Sequence, residues 1–338
     1  MHPYKDLPET AFWSKSVSTG FNHAHIFSPI LSSGDKVMSA GSCFASNIVP
    51  YLESAGFEYV RSEKRPAGFT TPPENLGYDK FSAAYGNVYT ARQLLQLLQR
   101  ATDKFRPIEP IFEEDGYFVD AFRPGLRYKA KSRRELALLT NQHFDATLTA
   151  VRKADTFIFT LGLTEAWIDI RDGSVFPSCP GTISGAFSPE NHGFHNFTAT
   201  EITNDLLAFI DLARLINPLL RLVLTVSPVP LVATASGHHV LEATIYSKSV
   251  LRVAAQSVVG QAEDVHYFPA YEIVTGPQAP ADFFEPDRRN VSKAAIDVVM
   301  STFLGSSAAE VRQPAAERLG SLSEAFSDFE CEEVAIGR

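Results

Sequence analysis

VMSAGSCFASNIVPYLESAG, residues 37–56, decides the fold. Val37, Met38, Ser39 and Ala40 form a short, largely apolar run that reads as a strand buried on both faces. Gly41 breaks the run, Ser42 and Cys43 follow at once, and residues 43–55 take up helical spacing that stops at Gly56. A strand that hands over to a helix in this way puts the connecting residues at the carboxyl edge of the sheet, where open α/β sheets bind ligands. One of only three cysteines in the chain stands at that point.

Outward from there, strands alternate with helices. Strand-length apolar runs lie at 36–40, 156–161 (TFIFTL), 220–226 (LRLVLTV) and 266–268 (HYF). Helical periodicity fills 43–55, 91–101 (ARQLLQLLQRA, behind Thr90 as N-cap), 132–154, 200–216, 246–259 and 291–303. The alternation predicts an α/β fold with a central parallel sheet of about five strands, helices on both faces, and the first strand in its interior. Two stretches fit poorly: 107–128, rich in proline, glycine and aromatics, and 174–197 (SVFPSCPGTISGAFSPENHGFHNF), with little periodicity. Loops of this length are typically binding loops or lids, so both are expected over the carboxyl edge, walling a cleft. Residues 1–304 read as one domain, and 305–338, small, polar and acidic, as a peripheral helix with a loose end.

Composition narrows the function. A chain of 338 residues with 45% hydrophobic and 20% charged residues can bury a large core without staples. A formal net charge of −9 argues against a general nucleic-acid or anionic-membrane surface. Cys43, Cys179 and Cys331 are too few and too scattered for a disulfide framework or a zinc site, and no metal constellation is visible. The opening MHPYKDLPETAFWSKS has no apolar h-region, and no window approaches a membrane span. The expected compartment is therefore cytoplasmic, where an unpaired cysteine stays a thiol.

A lone cysteine has a bland reading, a small buried hydrophobe, and a chemical one. At the start of a helix, free N–H groups and the positive end of the dipole push a thiol toward thiolate, the nucleophilic form. AGSCFAS resembles the signature that gives the GSCFA family its name, and that family is similar to the SGNH/GDSL hydrolases. The resemblance implies a three-layer α/β/α sandwich, SGNH-hydrolase-like, with the two long insertions as additions. In those hydrolases a first strand ends in Gly-Asp-Ser, with serine as nucleophile. Gly41 then matches the glycine, Ser42 takes the aspartate's place and Cys43 the serine's, with Ser42 the rival one residue away. YGNVYTARQL places Gly86 at a second-block glycine that contributes to an oxyanion hole, with Asn87 beside it. TLGLTEAW resembles the third block, Gly-x-Asn-Asp, with Thr164 for the asparagine and Glu165 for the aspartate. TVSPVPLVATASGHHV, YSKSVLR and YFPAYEI resemble further family stretches, so the likeness spans roughly residues 25–305.

One departure matters. The hydrolases carry a late Asp-x-x-His whose histidine is the general base, whereas FFEPDRRNVSKAA offers Asp287 followed by Asn290, and an amide cannot take and return a proton near neutral pH. Replacement bases are His238 and His239, in the loop after the 220–226 strand, with His239 favoured because it leads into the apolar anchor Val240-Leu241; His195 is in reserve. Glu165 or Glu272 would orient the base. The resemblance implies an esterase or O-acyltransferase working on an acetyl-type ester, on a carbohydrate, through a cysteine thioester. Phe112, Tyr117, Phe122, Phe187, Phe194 and Phe197 would be available to stack on sugar rings or to pack the loops. No cofactor is expected beyond an acyl donor such as acyl-CoA, and the partner is a small-molecule or glycan ester. The other class of function is an inactive binding protein that keeps the scaffold and its cleft, favoured by Asn290 and opposed by the cysteine.

Overall fold

The computed structural model describes residues 2–18, 20–66, 77–78, 80–126 and 128–305, with Cys43 described through its backbone alone. The expectation for the tail beyond Gly305 lies outside the described residues. In chain order the elements are α1 (Trp13–Ser16), β1 (Lys36–Gly41), α2 (Cys43–Ser46), α3 (Ile48–Ser54), β2 (Glu58–Tyr59), α4 (Ala91–Ala101), β3 (Ile111–Glu114), β4 (Tyr117–Asp120), α5 (Arg133–Lys153) and β5 (Thr156–Leu161). They continue with β6 (Glu165–Asp169), β7 (Val175–Phe176), β8 (His192–Asn196), α6 (Ala199–Ile216), β9 (Arg221–Val226), α7 (Val240–Val259), β10 (Val265–Phe268), α8 (Ala270–Thr275) and α9 (Lys293–Leu304).

The main sheet runs β10-β9-β5-β1-β2, all parallel. Strand alternation sorts its side chains into two cores. Met38, Ala40, Phe157, Phe159, Leu161, Leu222, Leu224 and Val226 face one core, with Leu94 and Leu98 of α4, Ala150 of α5, Leu206 and Phe209 of α6 and Leu251 of α7. Val37, Ile158 and Val223 face the other, with Leu52 of α3, Ile273 of α8 and Val299 and Phe303 of α9. This is the expected three-layer α/β/α sandwich, and β1 lies inside the sheet because both its faces are covered.

From β1 the chain goes outward to β2 on one side and later to β5 on the other. The strand order therefore reverses between β1 and β5, the switch point at which such sheets open a crevice. Gly41 faces Thr160 there. A Cβ on Gly41 would lie 2.8 Å from the Cβ of Ala45 and 2.8 Å from both the Cβ and the carbonyl oxygen of Thr160, and φ is +151°. Only glycine lets the strand end approach β5 and α2 this closely.

Three features differ from the sequence reading. The helix expected over 43–55 is broken into α2 and α3, because Pro50 has no N–H to offer the Ser46 carbonyl. At the break, Asn47 N instead bonds the Phe44 carbonyl. Residues 107–128 hold a β3–β4 hairpin turned by Asp115 (φ +50°) and Gly116 (φ +79°), the signature of a two-residue primed turn. Residues 174–197 contain β7 and β8, which flank β6 in an antiparallel sheet of order β7-β6-β8. These strands are two and five residues long, and β8 reads HGFHN, too short and too polar for a periodic signal.

A buried charge network ties the hairpin to the helices. Asp120 accepts from Arg123 Nε and from Phe122 N, each at 2.9 Å, and faces Arg100 at 3.5 Å. Arg123 lies 3.5 Å from Glu63, whose other oxygen meets His143 Nδ1 and Ala84 N, both at 2.7 Å. Burial alone would raise the Asp120 carboxyl, but Arg123 and Arg100 hold it down at about 2. Burial foremost also keeps His143 below its ordinary 6.5.

Two predictions follow from this architecture. Gly41→Ala combines a strained φ with overpacking and should cost about 3 kcal/mol in urea unfolding; a variant as stable as the parent would show the turn to be slack. Asp120→Asn should cost about 3 kcal/mol, because it takes the carboxylate from buried Arg100 and leaves buried Arg123 with Glu63 alone. In the parent, the Asp120 contribution is fully present above about pH 4 and is lost as pH falls toward 2, since the folded carboxyl binds its proton later than the unfolded one. The Asn variant should flatten that part of the stability–pH curve, and an unchanged acid limb would refute the assignment.

Candidate active site at the sheet's switch point

The site begins with the turn after β1. Ser42 is extended (φ −79°, ψ −173°), 8% exposed, and precedes α2 without its hydroxyl capping the helix. Cys43 is the first helical residue. Because α2 is a single turn, the dipole field at its start is weaker than the unbroken helix expected from the sequence would give.

Residues 86–89 lie against this turn. Gly86 has φ +70°, a conformation that lets the segment fold back, and Val88 N donates to the Gly41 carbonyl at 2.9 Å. Gln93, one turn into α4, holds the segment from behind: its amide donates to the Asn87 carbonyl at 2.8 Å and accepts from Tyr89 N at 2.9 Å. Asn87 is 4% exposed and its side-chain oxygen accepts from Lys80 Nζ. The Tyr89 carbonyl takes bonds from Gly162 N and Leu163 N at 3.0 and 3.1 Å. The three stretches that sequence reasoning picked out are thus joined backbone to backbone at one point of the sheet edge.

The third stretch is also gripped from α7. Ser247 Oγ accepts from Thr164 N at 3.1 Å, and Lys248 Nζ donates to the Gly162 carbonyl at 2.6 Å. Lys248 is 1% exposed, and Thr164 is fully buried with its hydroxyl making no hydrogen bond. Sequence reasoning missed Lys248 as a site residue. Its signal was positional: it sits three residues before Leu251, on the buried stripe of α7.

Beside this junction opens a cleft of about 250 Å³. Tyr89 and Leu163 line it on the side of this junction, Trp167 and Phe194 come from the small sheet, Phe176 from the second insertion, and Leu231 from the loop after β9. The second insertion therefore walls the cleft. The hairpin insertion stands behind it, with Phe112 and Phe122 buried against Phe176. Phe197 is buried beneath Arg92, while Phe187 is exposed and meets Trp167 edge to face.

The histidines and glutamates are placed as follows. Glu165 accepts from Thr234 Oγ1 at 2.6 Å and from Ala235 N at 3.4 Å, so it holds the loop that leads to His238 and His239 but neither ring. His239 is exposed and caps α7, its Nδ1 accepting from Leu241 N at 3.1 Å, which leaves the ring proton on Nε2. His238 faces Glu242 at 3.4 Å in solvent. His195 Nε2 meets Glu201 at 2.8 Å, on the strand face opposite Phe194. Burial pushes the Glu201 carboxyl up, but bonds from Thr198 and His195 outweigh it and hold the group below its usual range. Glu272 is bound by Arg252 (2.7 Å) and Tyr267 (2.8 Å) beyond β10, three strand positions from β1. Asn290 donates to Asp287 at 2.6 Å in an exposed turn. The geometry thus gathers Ser42, Cys43, Gly86, Asn87, Thr164 and the Glu165 loop at one edge, and pairs no candidate histidine with Glu165 or Glu272.

Among the described residues no helix is long and apolar enough to cross a membrane, and no group of three or more His, Cys, Asp or Glu is placed to hold a metal.

Among solved structures the chain is similar to a carbohydrate esterase family 3 protein from Talaromyces cellulolyticus, at 11% identity and a TM-score of 0.35 over 87% of this chain and 99% of that one. It is similar to a mutant acetyl esterase with acetate ion, at 11% identity and 0.33, over 87% and 99%. A salicylyl-acyltransferase from a tetracycline biosynthetic pathway is similar at 15% and 0.27, over 52% and 42%. At these identities and scores the likenesses support no conclusion about activity. No curated protein matches the sequence. The GSCFA family model matches residues 36–303, from the first residue of β1 to the last turn of α9, and the chain belongs to the GSCFA family.

Proposed function

We propose that the protein is an esterase or O-acyltransferase that works through a thioester on Cys43. The observation that carries this reading is the Val88 N to Gly41 carbonyl bond, which sets the Gly86–Asn87 backbone against the turn bearing Ser42 and Cys43. In the proposed reaction the Cys43 thiolate attacks the ester carbonyl and forms a C–S bond. The oxyanion is held by N–H groups of the turn and of residues 86–87. The C–O bond then breaks and the alcohol leaves with a proton; water or an acceptor alcohol next attacks the thioester and restores the thiol. The likeness to SGNH hydrolases favours a carbohydrate as the alcohol.

Two groups are available to manage the proton and the charge. His239 can serve as base once its ring releases Leu241 N and turns. Lys248, buried at the same edge on the Gly162 carbonyl, brings an amine that would favour a thiolate when protonated. A second reading, an inactive binding protein, is favoured by Asn290, whose amide is spent on Asp287.

Cys43→Ala should abolish p-nitrophenyl acetate turnover and Ser42→Ala should retain it, with acyl found by mass spectrometry on the peptide of residues 37–61. Acyl on Ser42 would exchange the two roles. His239→Ala should lower kcat at least a hundredfold if that ring is the base; activity that survives it but disappears in Lys248→Met would move the proton to the lysine. At pH 7 iodoacetamide should label Cys43 well before Cys179, whose thiol burial pushes up. Equal, slow labelling with no acylation in any variant would hand the case to the binding protein.

A further inference from the structure

The cleft is built for an apolar guest. Leu163, Trp167, Phe176, Phe194, Leu231 and Val232 supply most of its wall. Several polar groups among its lining are engaged within the protein. Thr90 Oγ1 accepts from Gln93 N, and the Gln93 amide is engaged by Asn87 and Tyr89. Thr182 Oγ1 donates to the Cys179 carbonyl, and Thr234 Oγ1 donates to Glu165. A sugar ring placed here would give up water for few replacement hydrogen bonds, and an unreplaced hydroxyl bond weakens binding. An alkyl chain gives up no hydrogen bonds by entering and gains from the apolar area it buries.

Size sharpens the class. A dry cavity of roughly 150 Å³ binds benzene, six carbons. On that scale a volume of about 250 Å³ takes a chain of about eight to ten carbons. The placement fits as well: Tyr89 and Leu163 line the cleft, and the Tyr89 carbonyl bonds Gly162 and Leu163 while its neighbour Val88 bonds Gly41. Through those bonds the Tyr89–Leu163 wall of the cleft is tied to the turn that carries Ser42 and Cys43.

We infer that this cleft is the acyl subsite and that it takes a medium-chain apolar acyl group of about eight carbons, in place of the acetyl group that the family likeness implies; the assignment to an acyl group rests on the acyl-transfer reading above. The sugar, if the alcohol is one, then sits outside the cleft.

Trp167 reports on the site directly. The chain has two tryptophans and the other, Trp13, is 63% exposed and remote in the fold, so Trp13→Phe leaves Trp167 as the sole emitter. Octanoate, acetate and methyl β-glucoside are titrated against that protein while Trp167 emission is followed. Each buried methylene is worth about fourfold in affinity, so octanoate should saturate at a concentration at least a hundredfold below acetate. The glucoside should leave the emission unchanged. Ala233→Phe, which narrows the mouth from an exposed rim position, should weaken octanoate at least tenfold without lowering Tm. Saturation by the glucoside but not by octanoate, or octanoate binding indifferent to Ala233→Phe, overturns the subsite. Acylation of Cys43 by p-nitrophenyl acetate with no octanoate binding overturns it too and leaves the acyl-transfer reading standing. Octanoate binding with no acylation of any residue does the reverse: the apolar site stands and the acyl-transfer reading falls.

Discussion

The close approach at Gly41 is the constraint on which the rest of the site depends. A side chain there would collide with Ala45 and Thr160, so β1 could not end against β5 with α2 folded over the junction. Without that contact the Gly41 carbonyl would not meet Val88 N, and residues 86–89 would lose their anchor on the strand end. Tyr89 in turn holds Gly162 and Leu163, where the chain leaves β5 for the small sheet. A single missing Cβ thus fixes the relative position of the turn, the second stretch and the Tyr89–Leu163 wall of the cleft.

The other side of the junction is held by polar groups on a buried helix face. Ser247 and Lys248 sit among Ala243, Leu251, Ala254 and Val258, where apolar residues would be the ordinary choice. Both reach out of that face to main-chain atoms of residues 162–164. Burying a lysine is costly unless its donors are used, so its position marks a place where backbone geometry counts for more than packing. The small sheet grows from this fixed point: β6 begins one residue beyond Thr164 and brings Trp167 over the cleft, with β8 adding Phe194.

Most of the scaffold was legible in the sequence because it obeys periodicity. The runs at 36–40, 156–161 and 220–226 are continuous and apolar because both faces of those strands are covered, and the long helices carry clear stripes, one of them behind Thr90 as its cap. What escaped was short or locally coded. The two-residue β2 has no period to detect, the Asp115-Gly116 turn is a hairpin signal inside a stretch that otherwise reads as loop, and Pro50 splits a helix whose apolar spacing runs on past it. The site was legible as a place but not as a constellation. Glu165 was expected to orient a ring, yet its side chain holds Thr234 and Ala235, and nothing in LTEAW distinguishes a carboxylate that grips an imidazole from one that grips a loop.

Within the proposed mechanism, two departures from the SGNH pattern make chemical sense together. A serine hydroxyl is a poor nucleophile until a base removes its proton, so in the proposed reading Asn290, standing where the resemblance implies a histidine, would leave a serine idle. A thiol needs far less help, since a few per cent is already thiolate near neutral pH and a neighbouring cation raises that share. The one-turn α2 provides only part of that field, because Pro50 ends it early. In the proposed reading the remainder comes from groups fixed at the same edge, and Lys248, held against the Gly162 carbonyl, puts its amine there. Cysteine at position 43 then lowers the demand on the base, and the His239 ring would meet what remains of it in place of Asn290.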